Sequence, residues 1–233
     1  MTRIKFCGLK RREDIAAANI ILPDYVGFVF AKKSKRAVTP EQARALKKEL
    51  APEIQTVGVF VNEAPEQVAA LLNEGTIDLA QLHGTEDEAY IRELRKYTQK
   101  PIIQAFKITT DENSEGTSAY PEGTSAVLEG EGFAVRGREA AEARLAAAAK
   151  SSADHILLDS GAGTGSTFDW ELLKDFPRPY FLAGGLDPEN AAEAVRLLHP
   201  FAVDVSSGIE TDGAKDGTKM VAFAAAVRKE DEL

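Results

Sequence analysis

Cysteine is nearly absent: Cys7 is the sole one in 233 residues. No intrachain disulfide can form, and a structural zinc site built on cysteines is excluded. The three histidines, His83, His155 and His199, lie far apart and show no metal-ligand spacing, so no metal is expected. No run of 18 apolar residues occurs, and no membrane-spanning helix is expected. The opening MTRIKFCGLKRRED has no apolar core of a secretory signal, which points to the cytoplasm. The closing letters EDEL resemble an ER-retention address, but without a signal a solvated acidic tail is the better reading. Positive charge is in deficit, with 28 Lys and Arg against 37 Asp and Glu, for a net −9. Such a chain repels a phosphate backbone, so no nucleic-acid partner is expected. A local cluster of Lys, Arg and backbone N–H can still hold a small anion. Hydrophobic residues are in ordinary supply at 44%, which excludes disorder throughout.

What is present is a rhythm. Short apolar runs at 3–7, 25–30, 54–61, 78–83, 102–108, 155–159, 180–183 and 202–205 alternate with amphipathic stretches. Several runs are apolar on both faces, as buried parallel strands are. Thr39-Pro40-Glu41 and Asp187-Pro188-Glu189 each place an N-cap before a proline at the first helical position. A further proline, Pro65, follows an acidic start. Strand starts are spaced by 22, 29, 24, 24, 53, 25 and 22 residues. Six of these spacings suit one βα unit. Eight near-equal units favour a closed (β/α)8 barrel over an open doubly wound sheet, in one domain over residues 1–233.

The spacing of 53 holds an insertion at 109–137, rich in Gly, Ser, Thr and Glu and carrying a net −5. Within it, 125–129 and 133–136 flank Gly130-Glu131-Gly132, which predicts a hairpin. An Ala-rich helix is expected over 138–150. The insertion reads as a surface loop rather than a lid.

In a barrel the chemistry sits at the C-terminal ends of the strands. Those ends carry Cys7-Gly8, a basic loop from Lys32 to Arg36, His83-Gly84, Asp159-Ser160, Gly184-Gly185 and Ser206-Ser207-Gly208. Gly184 and Gly185 let backbone approach an anion, and Ser206 to Gly208 can open a short helix aimed at the same anion. The two loops together predict a phosphate cradle. Two tight turns are the plainer alternative. Gly161 to Gly165 fits neither G-x-G-x-x-G nor the Walker pattern and reads as a loop over the site. Lys5 shares a strand face with Cys7 and is expected to lower the thiol pKa. A lone cysteine is otherwise a small buried hydrophobe. Asp159 is the natural carboxylate partner, though Asp also caps loops. Arg36 is suited to grip a carboxylate bidentately.

These strand ends match a known pattern. KFCGLKRRED (5–14), GFVFAKKSKRAVTPEQA (27–43), VGVFVN (57–62), QLHGTED (81–87), LLDSGAGTGSTFDW (157–170), FLAGGLDPEN (181–190) and DVSSGIETDGAKD (204–216) occur in order along some 200 residues. In them the chain resembles the phosphoribosylanthranilate isomerase family of tryptophan biosynthesis. It departs from that family at Phe6, at Ala162 and in the insertion, for which the resemblance offers no guide. The resemblance implies a (β/α)8 barrel and an Amadori rearrangement of a phosphosugar, with no cofactor and no metal. It implies Cys7 as base and Asp159 as acid. Arg36 would hold a carboxylate, and backbone N–H groups of Gly184, Gly185, Ser206 and Ser207 a phosphate. His83 is a pocket residue without a firm role. Monomer and homodimer are both open. The rival isomerase of histidine synthesis, which acts on an aminoimidazole-carboxamide, resembles a pattern with Asp where Cys7 stands. The same mismatch speaks against an enzyme accepting both substrates. A non-catalytic barrel with the acidic insertion as a protein-binding arm is the reading from another class.

Overall fold

A run of Tyr, Val, Gly, Phe and Val buried at every position, as in β2 (Tyr25–Val29), can only be an interior strand. Seven more short strands accompany it: β1 (Arg3–Cys7), β3 (Gln55–Phe60), β4 (Leu79–Leu82), β5 (Ile102–Lys107), β6 (His155–Asp159), β7 (Tyr180–Ala183) and β8 (Ala202–Val205). All neighbours are parallel, and β1 pairs with both β2 and β8, which closes the barrel. The computed structural model describes residues 1–108, 131–160 and 170–230, with backbone alone at 131–136. The insertion segment 109–130, the loop 161–169 and the last three residues lie outside it.

Outside the strands run α1 (Arg12–Ile21), α2 (Pro40–Lys48), α3 (Pro65–Asn73), α4 (Glu88–Leu94), α5 (Glu131–Lys150), α6 (Ala191–Leu198) and α7 (Gly217–Glu230). Local chemistry sets their starts. Thr39 caps α2: its hydroxyl accepts from the Gln42 N–H at 3.2 Å, and the Gln42 carboxamide returns the bond to the Thr39 N–H at 2.8 Å. The second expected cap fails. Asp187 instead accepts the N–H groups of Glu189 and Asn190, both at 2.9 Å. That turn absorbs Pro188, and α6 begins at Ala191. Its buried face then recurs at Ala191, Ala194, Val195 and Leu198.

The expected strand at 133–136 is also overturned: those residues are the first turns of α5. Once the Ala-rich segment has nucleated a helix, each added residue costs little and brings one backbone bond. The other half of that hairpin, 125–129, lies outside the described residues.

Alternation along the strands sorts the interior into layers. At the N-terminal end Tyr25, Phe181 and Phe201 pack together, and the Arg3 guanidinium lies 4.5 Å from the Phe201 ring centre. Val57, Leu79, Ile103 and Leu157 fill the middle. At the C-terminal end the same inward faces carry Cys7, His83, Asp159 and, from alternation in β5, Lys107. The fold therefore spends its apolar residues at one end and delivers its polar ones to the other.

Candidate active site

Cys7 ends β1 and is 9% exposed. Beneath it on the same face, Lys5 is fully buried and its ammonium donates to Asp204 of β8 at 2.8 Å. Burial alone pulls the Lys5 pKa down, but Asp204 and Cys7 together outweigh it and the net direction is upward. The thiol behaves differently from the expectation. Burial pushes the Cys7 pKa above the ordinary thiol value, and the nearby cations Lys5 and Lys215 only partly oppose it. The charge of Lys5 is shared with Asp204, so it lowers the thiol pKa by less than burial raises it.

Gly8 follows with φ +81°, a conformation that disfavours any side chain. A Cβ there would also lie 2.5 Å from the Arg36 Cδ. The bare backbone at 8 is thus what lets Arg36 lie beside the thiol. Within the basic loop Lys32, Lys33 and Lys35 are exposed, whereas Arg36 is half-buried. Arg36 is not free: its Nε and Nη2 donate to both carboxylate oxygens of Glu210 at 2.6 and 2.8 Å. Glu210 also accepts from Lys215 Nζ at 2.7 Å. Despite burial, which would raise it, these partners hold the Glu210 carboxyl down at about 2.

Glu210 and Lys215 belong to a small hairpin, β9 (Glu210–Thr211) with β10 (Ala214–Lys215), antiparallel to each other. Asp212 and Gly213 join them with φ of 52° and 75°. Two positive φ values in a two-residue Asp-Gly loop are the signature of a type I′ turn. That dipeptide stood in DVSSGIETDGAKD and could have announced the hairpin. Nothing in the spacing could have paired Glu210 with Arg36, 174 residues away.

Across the mouth, His83 Nε2 lies 3.4 Å from Asp159 Oδ2. The other ring nitrogen, Nδ1, is 2.8 Å from the Gln81 side-chain nitrogen. Gln81 is 1% exposed, and its carbonyl oxygen has no partner. The reverse amide orientation would leave two N–H groups unpartnered instead of one N–H and one oxygen, and an orphaned N–H is the costlier of the two. The carboxamide therefore donates to Nδ1, and in neutral His83 the proton sits on Nε2, facing Asp159. Gln81 lies two residues before His83, on the same face of the strand, and that parity is the signal in the sequence that points to it.

The two loops expected to hold an anion are adjacent. Gly184 and Gly185 have φ of 93° and 64°. The Ser160 hydroxyl donates to the Gly184 carbonyl at 2.9 Å, and the Asn190 carboxamide to that of Gly185 at 2.9 Å. After β8, Ser207–Ile209 forms a 3-10 turn rather than a longer helix. A Cβ on Gly208 would come within 1.9 Å of the Leu186 carbonyl oxygen, so the loops press backbone to backbone. The Ser206 hydroxyl donates to the Cys7 carbonyl at 3.1 Å, tying the cradle to β1. Cys7, Arg36, His83, Asp159, Gly184, Gly185, Ser206 and Ser207 thus all lie at the C-terminal mouth of the barrel. Among the described residues, no group of three or more His, Cys, Asp or Glu is placed to hold a metal ion. No helix among them is long and apolar enough to cross a membrane.

Comparison with known proteins identifies the family and agrees with the barrel fold. The family described as N-(5'phosphoribosyl)anthranilate (PRA) isomerase matches residues 4–132 and 131–226. The N-(5'-phosphoribosyl)anthranilate isomerase of Endomicrobium trichonymphae is 40% identical, over 95% of this chain and 96% of its own. The crystal structure of phosphoribosyl anthranilate isomerase from Thermotoga maritima superposes with a TM-score of 0.75 at 34% identity, covering 98% of this chain and all of that one. A further solved isomerase, in complex with reduced 1-(o-carboxyphenylamino)-1-deoxyribulose 5-phosphate, has a TM-score of 0.72 at 33% identity with 98% of this chain and 100% of that one covered. With matches of this extent, the chain belongs to the N-(5'-phosphoribosyl)anthranilate isomerase family.

Proposed function

We propose that this protein converts N-(5-phosphoribosyl)anthranilate into 1-(2-carboxyphenylamino)-1-deoxyribulose 5-phosphate, the third step of tryptophan synthesis from chorismate. The observation that carries the reading is the placement of a thiol and a carboxyl on opposite sides of one barrel mouth, β1 and β6, between an arginine and an anion cradle. A substrate with a carboxylate at one end and a phosphate at the other spans such a mouth.

The chemistry follows from those groups. Asp159 gives its proton to the furanose oxygen as the C1–O bond breaks, and the anilino nitrogen supplies the electron pair. The product of that step is an iminium. Cys7, as thiolate, then takes the C2 proton, and the C–H electrons form the C1=C2 bond of an enolamine. The C2 hydroxyl proton leaves to Asp159 and the thiol proton moves to C1, giving the ketone and restoring both groups. The reaction needs one proton shared between the acid and the base. The pH profile of kcat/KM is therefore bell-shaped, with an alkaline limb belonging to the thiol. Because burial raises the Cys7 pKa, that limb lies above the ordinary thiol range. The cationic iminium beside the thiol favours the thiolate at the moment it is needed.

The histidine-pathway relative is disfavoured because Cys7 stands where its pattern has Asp. Turnover is measured by fluorescence with phosphoribosylanthranilate generated in situ. Loss of anthranilate-type fluorescence change in the wild-type protein would refute the assignment, and an unchanged rate in Cys7→Ala would refute the base. The soluble phosphosugar is the expected partner, in a cytoplasmic monomer or homodimer.

A further inference from the structure

We propose that the β9–β10 hairpin positions both anionic ends of the substrate, with Glu210 aiming Arg36 at the carboxylate and Lys215 shaping the Ser206 loop for the phosphate. The proposal rests on the isomerase reading above.

Arg36 sits on a loop, and an unrestrained arginine loses much rotamer freedom when it binds. Glu210 removes that freedom beforehand. It engages the Nε–Nη2 edge of the guanidinium through two bonds. A guanidinium has five N–H groups in a planar fork, so the edge made by its two terminal nitrogens is left to face a second carboxylate. Which edge the substrate meets, and in what plane, is then set by Glu210. Glu210 is itself held from three directions: by Arg36, by Lys215 Nζ at 2.7 Å, and at its backbone carbonyl by Lys219 Nζ at 2.7 Å.

Lys215 acts in a different way. Its side chain is 2% exposed. Its ammonium donates to Glu210 at 2.7 Å and to the Ser206 carbonyl and hydroxyl oxygens at 2.8 and 3.3 Å. An ammonium has three protons, and these three acceptors take them all. Lys215 is thus a positioning residue, working through Ser206 and Glu210 rather than as a phosphate ligand. Arg11 Nη2 donates to the Lys215 carbonyl at 2.7 Å and anchors the hairpin to the N-terminus of α1. One hairpin therefore touches the carboxylate-holding arginine, the phosphate loop and, through Ser206, the strand that carries Cys7.

The test uses two stable ligands made by reductive amination of ribose 5-phosphate, one with anthranilate and one with aniline. They differ only in the carboxylate, and binding is read by calorimetry. In the wild-type protein the anthranilate ligand should bind about tenfold or more tightly than the aniline ligand. Glu210→Gln should cut that advantage to about twofold while leaving the aniline ligand unchanged. Lys215→Met should weaken both ligands by a similar factor and weaken inorganic phosphate as a competitor. Lys215→Arg should recover part of the loss. Lys174→Met, near Tyr180 and Phe201 at the N-terminal ends of β7 and β8 and away from the mouth, serves as the neutral control. Should Glu210→Gln fail to fold, Glu210→Asp keeps the charge, shortens the reach and supports the same comparison. Equal weakening of both ligands by Glu210→Gln would reduce Glu210 to a structural role and overturn the proposal. So would tighter binding of the anthranilate ligand, which would mean that Glu210 competes with substrate for Arg36. A Lys215→Met effect confined to the anthranilate ligand would overturn the second half. Because binding is read apart from turnover, a wild-type protein that binds both ligands but does not isomerise refutes the isomerase reading and leaves the hairpin's role standing.

Discussion

The two sides of the barrel mouth are built on different principles. On the side of β8, β1 and β2, Cys7 is surrounded by paired charges: Lys5 with Asp204, both buried, and the half-buried Arg36 and buried Lys215 with Glu210. On the side of β4 and β6, Asp159 faces the His83 imidazole, and both are partly open to solvent, with side chains 24% and 36% exposed. A group that must lose a proton to carbon benefits from fixed charges, because reorganising them during the reaction would raise the barrier. A group that exchanges protons with oxygen benefits from reach and from access to water. The contrast also separates stability from chemistry. Variants of the buried Lys5–Asp204 pair on the first side should damage folding as well as turnover, and variants on the second should damage turnover alone.

The largest effects should come from the two groups proposed to react, Cys7 and Asp159. Cys7→Ala and Asp159→Asn should each lower kcat by about 10²–10⁴-fold, the usual worth of a general base or acid. Neither should shift the denaturant midpoint much, since a small thiol and a partly exposed carboxyl add little to the core. Near-normal turnover by either variant ends its assignment.

Next comes the buried pair. Lys5→Met leaves Asp204 charged and unpartnered inside the barrel and should cost about 3–5 kcal/mol in urea unfolding. Replacing both, as Lys5→Met with Asp204→Leu, should restore much of that loss, because neither desolvation penalty remains. In folded Lys5→Met protein the alkaline limb of the kcat/KM profile should move up, since a cation that favours the thiolate has gone. A limb that stays in place would mean that Lys5 supports the fold without touching the chemistry.

Arg36→Met should act on binding. Loss of a charge-assisted contact costs about 1.5–3 kcal/mol, felt in KM rather than kcat. Lys32→Met and Lys35→Met, both exposed, should do far less. Equal effects from all three would reduce the loop to a general positive field. On the same side, Glu210 should give the fold an acid sensitivity. Its folded pKa, about 2, lies below the ordinary carboxylate value. Its contribution is therefore complete above about pH 4.3 and fades as pH falls toward 2.

The uneven legibility of the two sides has a physical cause. All eight strands could be read from the residues because burial on both faces forces short, nearly continuous apolar runs. Thr39-Pro40 could be read because a cap is a contact between near neighbours. Cys7, His83 and Asp159 were legible as polar residues at strand ends. The Arg36–Glu210 pair was not, because spacing carries no information about a partner some 170 residues away. Nor was the direction of the thiol pKa. A neighbouring lysine is visible in KFC, but the burial that outweighs it, and the Asp204 that claims the lysine, exist only once the barrel has closed. The same limit explains 133–136, where a local turn signal lost to the helix that followed it.

The smallest effect tests the quieter side. Gln81 is buried and donates to His83 Nδ1, so it should fix the imidazole with its proton on Nε2, toward Asp159. With three histidines in the chain, long-range proton–nitrogen NMR correlations can resolve each ring, and the His83 signals are assigned by their loss in His83→Gln. The wild-type protein should show the Nε2–H tautomer at neutral pH. Gln81→Met fills the space without a donor. It should release His83 into a mixture of tautomers and lower kcat several-fold, on the order of 1 kcal/mol for one lost hydrogen bond. Because Met packs well in cores, stability should change by less than in Lys5→Met. An Nδ1–H tautomer in the wild-type protein would mean that the amide is reversed, its oxygen accepting from the ring. Nε2 would then be a bare acceptor facing Asp159, and the carboxyl, not the imidazole, would carry the proton between them.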